Sequence, residues 1–191
     1  GYFDQLLHDI APGFRETLDQ TDFLLEPGSR VTADTAVLLT RIQNHKIRPN
    51  GADHWLLLDA GFNTLLDTFS YNWYFHIGSA DRIADAHESF YRLGGPLCDS
   101  GDVYHDSELL GRLPELHALP HDLVPGDLLV FFDVGAYTLE QMCQYNGQRR
   151  AAAVIVQSDG HVQLIRRRDT YADLTGQDIQ IYPQVDGRRG E

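Results

Sequence analysis

The sequence predicts two structural characters in succession, an α/β segment followed by a mostly antiparallel all-β domain. Three observations carry this reading. Phe23-Leu24-Leu25 runs into Glu26-Pro27-Gly28 and then into a periodic apolar stretch, which reads as strand, glycine turn and helix. After Pro49-Asn50-Gly51 the apolar runs shorten and are bounded by Gly, Pro and Asp, as in a β domain. Residues 152–156 and 162–166 flank Ser158-Asp159-Gly160, a hairpin turn signature.

The elements follow in chain order. Phe3, Leu6, Leu7, Ile10, Phe14 and Leu18 recur at roughly helical spacing, with Pro12 breaking or restarting the helix. Phe23-Leu24-Leu25 reads as a buried strand whose end delivers the Glu26 carboxylate. Thr32 or Asp34 caps a helix carrying Ala36, Val37, Leu38, Leu39 and Ile42. Strand, turn and helix form one βα unit, and in a parallel barrel the functional groups sit at the strands' C-terminal ends. Beyond it, Trp55-Leu56-Leu57-Leu58 is strand-like and ends at Asp59-Ala60-Gly61. Residues 62–76 are aromatic-rich and suit β-domain core and interface. Tyr91-Arg92-Leu93 leads as a strand into a Gly/Pro-rich loop. Residues 103–122 read as loop with at most a short helix. Pro125-Gly126-Asp127 turns into the strand Leu128-Leu129-Val130-Phe131-Phe132. Residues 183–191 read as a frayed tail.

Composition limits the function. The chain has 191 residues, 42% hydrophobic, enough for a real core. Its net charge of −13 disfavours nucleic acid and anionic membrane surfaces, and suits cationic small molecules. Two cysteines, Cys98 and Cys143, make no disulfide framework, so a reducing cytoplasm is expected. No apolar run is long enough for a membrane span, and no signal peptide is visible. His117 and His121 are four apart, but Pro120 interrupts a shared helical face, and no metal site is expected.

Chemistry concentrates in three stretches. Gly94-Gly95-Pro96-Leu97-Cys98-Asp99-Ser100-Gly101-Asp102 sets a thiol between acids on a backbone too rich in Gly and Pro for a regular helix or central strand. Such a loop presents side chains. Leu25-Glu26-Pro27-Gly28-Ser29-Arg30 sets a carboxylate before a glycine turn. Asp133-Val134-Gly135-Ala136-Tyr137 ends on a tyrosine. Read without further context, these are a helix-terminus acid, a turn with a partly buried cysteine, and a half-buried strand tyrosine.

Taken in chain order, and with Tyr145-Asn146-Gly147 following, the three stretches resemble the C-terminal half of the fold-type III pyridoxal-phosphate decarboxylases, the ornithine, arginine and diaminopimelate decarboxylases. The resemblance covers roughly residues 1–178. It implies that residues 1–45 are the last βα segment of an alanine-racemase-like (β/α)8 barrel and residues 46–182 the C-terminal β domain. It further implies a pyridoxal 5'-phosphate cofactor, with Glu26 facing the pyridine nitrogen and Gly28, Ser29 and Tyr137 near the phosphate. The family usually has Arg where Ser29 stands. Cys98 matches the cysteine that reprotonates the substrate carbon, and Asp99 a contact to the substrate's distal amino group. Asp102 and Tyr145 match interface positions of a homodimer with shared active sites.

One count sets this chain apart. Its single lysine is Lys46, against fourteen arginines, and the family's Schiff-base lysine lies well before the Glu-Pro-Gly motif. The chain thus resembles only the second half of a complete enzyme, whose first barrel half is expected as further chain or as a separate one. A barrel closes only with all eight strands. The readings to separate are a decarboxylase half, a catalytically inactive regulatory or dimerisation homologue, and a fold-related racemase, against which the Cys-Asp-Ser-Gly-Asp loop speaks. For substrate, the resemblance places Asp67 where diaminopimelate enzymes carry an Arg for the distal carboxylate. With Asp99, this predicts a diamino or basic amino acid, or a derivative from polyamine or siderophore metabolism, in preference to meso-diaminopimelate.

Overall fold

A computed structural model describes residues 20–22, 24, 26–49, 53–106, 108 and 110–179. The expected N-terminal helix and the frayed tail lie outside them, as do Phe23 and Leu25. Six strands form one sheet: β1 (Leu38–Ile47), β2 (His54–Leu58), β3 (Ile77–Ser79), β4 (Ser89–Gly94), β5 (His117–Leu119) and β6 (Leu128–Phe131). Their order is β3-β6-β1-β2-β4-β5, antiparallel throughout except where β2 runs parallel to β4. β7 (Ala153–Val156) and β8 (Val162–Arg166) form a separate hairpin. Three short helices complete the described chain: α1 (Leu66–Ser70), α2 (Thr138–Gln141) and α3 (Tyr171–Thr175).

β1 replaces the helix that the sequence predicts over this stretch. The burial alternates: Thr40 and Ile42 are enclosed while Leu39, Arg41 and Gln43 face outward, a period of two. Thr40 and Ile42 are β-branched and suit the pleat. The strand pairs with β6 through Leu38↔Phe131 to Arg41↔Leu128, and with β2 through His45↔Leu56 and Ile47↔His54. Asp59 locks the join, accepting the Thr40 hydroxyl at 2.7 Å and the Arg41 N–H at 2.8 Å. Tertiary pairing thus overrides the helical spacing. What precedes β1 is two single 3-10 turns, Ser29–Val31 and Ala33–Thr35. β1 also runs across the boundary expected at residues 45/46, so the sheet begins at Leu38.

β2, β4, β6, β7 and β8 form where the apolar runs fall, and β3, just after the aromatic-rich stretch, is not among the expected strands. β5 is an addition: it sits within the stretch read as loop, pairing Ser89↔Leu119 to Tyr91↔His117. Ile42, Leu56, Leu58, Leu65, Leu93, Leu119, Leu129 and Phe131 are each at most 1% exposed and make the core, with Tyr104 stacked on Phe131 at 4.8 Å. No helix among the described residues is long and apolar enough to cross a membrane.

Candidate functional site: two loops on one sheet domain

β4 delivers the cysteine loop. Gly95 N–H bonds the Asp102 carbonyl at 2.9 Å and Tyr104 N–H bonds Leu93 at 3.2 Å, so the loop between them is closed at its base. Asp102 fills it from within: its carboxylate accepts the Phe62 N–H at 2.8 Å and the Leu97 N–H at 2.7 Å, and it is 4% exposed. Burial is the largest influence and pushes its pKa up. A Cβ on Gly95 would fall 2.2 Å from Asp102 Oδ2, so this position admits only glycine without displacing the carboxylate. Asp102 therefore holds its own loop together. The resemblance makes Asp102 an interface residue, and within one subunit its carboxylate accepts from the Phe62 and Leu97 amides.

With its base fixed, the loop exposes Cys98 and half-exposes Asp99. The turn Tyr145–Gly147 reaches across to both. Asn146 Oδ1 accepts the Cys98 N–H at 2.7 Å, and the Tyr145 hydroxyl donates to Asp99 Oδ2 at 2.9 Å. Asn146 was not singled out from sequence as a site residue; its Asn-Gly turn signature was the available signal, and it takes φ 54°.

A second cluster forms around Tyr137. Of the strand expected to carry Glu26, Phe23 and Leu25 lie outside the described residues; Leu24 is 91% exposed, and Glu26 is exposed in irregular backbone. The segment after it is nevertheless fixed. Gly135 N–H bonds the Ala33 carbonyl at 2.8 Å and Val134 N–H bonds Ala36 at 3.2 Å, tying the tyrosine loop to the two 3-10 turns. A Cβ on Gly135 would lie 2.0 Å from the Thr32 carbonyl oxygen, so that contact also requires glycine. The result brings Gly28 and Tyr137 together, with the Tyr137 hydroxyl 3.6 Å from the place a Gly28 Cβ would occupy. Tyr137 itself takes φ 64°, a left-handed conformation uncommon for a tyrosine. Beside it opens a cavity of about 340 Å³ lined by Ser29, Ala33, Asn72, Trp73, Asp133 and Ala136. Trp73 sits edge-on to Tyr137, 6.3 Å between ring centroids.

Asp67 is the residue that moves furthest from expectation. It lies in the first turn of α1, 2% exposed, facing the Gln141 side chain of α2. Burial raises its pKa and the Gln141 amide partly opposes this. Enclosed between two helices of its own domain, it offers no open face to a substrate. Lys46 lies on β1, on the strand half that pairs with β2. Among the described residues no group of three or more His, Cys, Asp or Glu could hold a metal, and His117 is a buried core residue on the Tyr104 carbonyl at 3.0 Å.

The Tyr137 hydroxyl beside Gly28, next to a cavity lined by Ser29, suits an anionic group such as a phosphate, and an exposed thiol beside a fixed carboxylate suits proton transfer next to a cation. Comparison with known proteins identifies the family. Residues 19–135 match the family described as pyridoxal-dependent decarboxylase, C-terminal sheet domain. A diaminopimelate decarboxylase of Archaeoglobus fulgidus is 35% identical over 150 residues, 78% of this chain and 32% of that protein. One of Escherichia coli K12 is 36% identical over 154 residues, 78% of this chain and 35% of that protein. A crystal structure of diaminopimelate decarboxylase from M. jannaschii in co-complex with L-lysine superposes with a TM-score of 0.68 at 32% identity, over 88% of this chain and 36% of that one. The chain spans about a third of the length of these relatives.

Proposed function

The chain belongs to the pyridoxal-dependent decarboxylases, whose C-terminal sheet domain its residues 19–135 match, and on that premise we propose that it is the C-terminal part of a pyridoxal-phosphate-dependent amino-acid decarboxylase. The substrate is a diamino or basic amino acid. The observation that carries the proposal is the Gly28–Tyr137 approach beside the cavity containing Ser29. Residues far apart in sequence meet where a phosphate would find a Tyr hydroxyl, a Ser hydroxyl and bare backbone. Ser29 stands where the family usually has Arg, so the anion is held here by hydroxyls and amides.

When bound, the cofactor supplies a sink for the electrons left at the substrate's Cα as carbon dioxide departs. Everything else in the reading is work for this chain's own residues. Ser29 and Tyr137 hold the phosphate. Glu26 meets the pyridine nitrogen and keeps it protonated, a charge effect that strengthens once the rest of the enzyme excludes water from this now exposed carboxylate. Cys98, exposed on its loop, gives a proton to the carbon that lost the carboxylate; a thiol is a suitable donor close to neutral pH. Asp99 meets the ammonium at the substrate's far end. Asp102 keeps the loop that carries both in shape.

The cysteine loop serves the neighbouring subunit of a homodimer. Phe69, Tyr71, Trp73, Tyr74, Tyr137 and Tyr145 are 39–64% exposed around the two clusters, more aromatic surface than a lone domain usually leaves open. The preceding barrel, including the lysine that anchors the cofactor, is supplied by further chain or by a second polypeptide.

Asp67 no longer weighs against diaminopimelate, since it is enclosed, and the relatives bear that name. Asp99 suits it as well, because diaminopimelate carries an ammonium at its far end. The test is carbon-dioxide release by the full-length enzyme from diaminopimelate, lysine, ornithine and arginine. Release from at least one of them, with a changed product ratio in Cys98→Ala, is expected. No release from any, with the cofactor bound, would overturn this reading in favour of a catalytically inactive homologue.

A further inference from the structure

The Tyr145–Gly147 turn makes two side-chain contacts to the cysteine loop, and they land on adjacent residues. Asn146 takes the Cys98 N–H, and Tyr145 gives its hydroxyl to Asp99 Oδ2 at 2.9 Å. The other oxygen, Oδ1, takes the Gly101 N–H at 2.8 Å. Asp99 is thus held at both ends of its carboxylate while remaining open to solvent. The contact does not satisfy a buried charge, because water would reach either group in its absence: Tyr145 is 44% exposed. Its effect is to fix direction. Each carboxylate oxygen accepts about two hydrogen bonds, so one lone-pair direction on each stays free. The phenol is itself held, its ring tilted against Phe62 at 5.2 Å between centroids. Phe62 in turn donates its backbone N–H to Asp102 inside the loop.

We propose that Tyr145 is a positioning residue that pre-orients Asp99 for a cationic substrate end, so that its hydroxyl sets affinity for the diamino substrate. The proposal rests on the reading of Asp99 given above. An ammonium arriving at Asp99 meets a carboxylate already turned toward it and loses less rotational freedom in binding. Neighbouring Asp99, through the hydrogen bond and its charge, raises the Tyr145 pKa, so the phenol remains a donor throughout the neutral range.

The experiment uses the complete decarboxylase and its best substrate, with Tyr145→Phe, Asp99→Ala and the double variant. Tyr145→Phe keeps the ring against Phe62 and removes one oxygen. The expected result is a KM raised by about tenfold, the scale of one charge-assisted hydrogen bond, with kcat nearly unchanged. Asp99→Ala raises KM at least as far, and adding Tyr145→Phe to it changes nothing more. An unchanged or lowered KM in Tyr145→Phe, while Asp99→Ala raises it, overturns the role of Tyr145 alone. An unchanged KM in Asp99→Ala removes the substrate contact itself and this proposal with it. A measurement independent of turnover is NMR titration of the Tyr145 ring carbon. The phenol titrates above its ordinary value in the wild type and returns toward it in Asp99→Asn; identical titration in both overturns the proposal.

Discussion

Asp67 and Asp99 are the two aspartates read as substrate contacts, and the fold gives them opposite environments. Asp99 follows a cysteine in a loop whose backbone admits no regular structure, so its exposure was legible. Asp67 falls by alignment on a substrate position, but alignment does not say which face of α1 it takes, and the helix turns it inward against Gln141. Its burial has a pH signature. The folded state raises the Asp67 pKa, so the fold favours the protonated acid. Stability contributed by this group is greatest at and below the ordinary carboxylate range, and falls as pH rises through the raised value. Asp67→Asn has no proton to lose. Thermal unfolding of the two proteins should show Asn gaining on wild type between pH 4 and pH 8. Asp67→Ala, which leaves Gln141 without its partner, should cost about 1–3 kcal/mol. A difference between Asn and wild type that stays constant with pH would show that Asp67 does not titrate in a buried setting.

At the scale of elements, punctuation was read more reliably than periodicity. Pro125-Gly126-Asp127 and Ser158-Asp159-Gly160 mark the turns before β6 and between β7 and β8, because few residues other than Gly accept the backbone those turns need, and both Gly126 and Gly160 have positive φ. The run from Ala36 to Ile42 misled, since a dense apolar stretch fits a helix or a strand until its partners are known, and β2 and β6 decided it. β3 and β5 are not legible because three residues give too little pattern to count. The docking of the tyrosine loop on the 3-10 turns was likewise not legible, although the glycine that allows it was noted. It gives a prediction. Gly135→Ala places a Cβ against the Thr32 carbonyl and must part the loop from the turns. The sheet should stay folded, while cofactor affinity measured by absorbance titration drops by about tenfold or more, as expected when a phosphate ligand is displaced. Unchanged affinity would show that Tyr137 and Ser29 do not act as one cradle.

The described residues leave apolar surface open on the β7–β8 hairpin. Val154, Val156, Val162 and Leu164 lie opposite one another on β7 and β8 and are 53–65% exposed, and a two-stranded hairpin is marginal in water by itself. Its exit is tied back by Asp169, which accepts from Gln144 and Arg150 and whose pKa the Arg150 guanidinium lowers to about 2. The three motifs in order were enough to read the pyridoxal-dependent decarboxylase family. They could not show which surfaces meet, because a motif does not say what its loop faces. The central claim is that the cysteine loop of one subunit completes the cofactor site of another. The direct measurement follows formation of the normal amine product by a mixture of two impaired forms of the complete enzyme, one carrying Cys98→Ala and one lacking the cofactor-anchoring lysine, with subunit exchange confirmed by mass spectrometry. If sites are shared, half the dimers are mixed and each regains one intact site, so about a quarter of wild-type activity returns. No activity above that of the two parents after confirmed exchange would contradict it, and would mean that each site is built within a single chain.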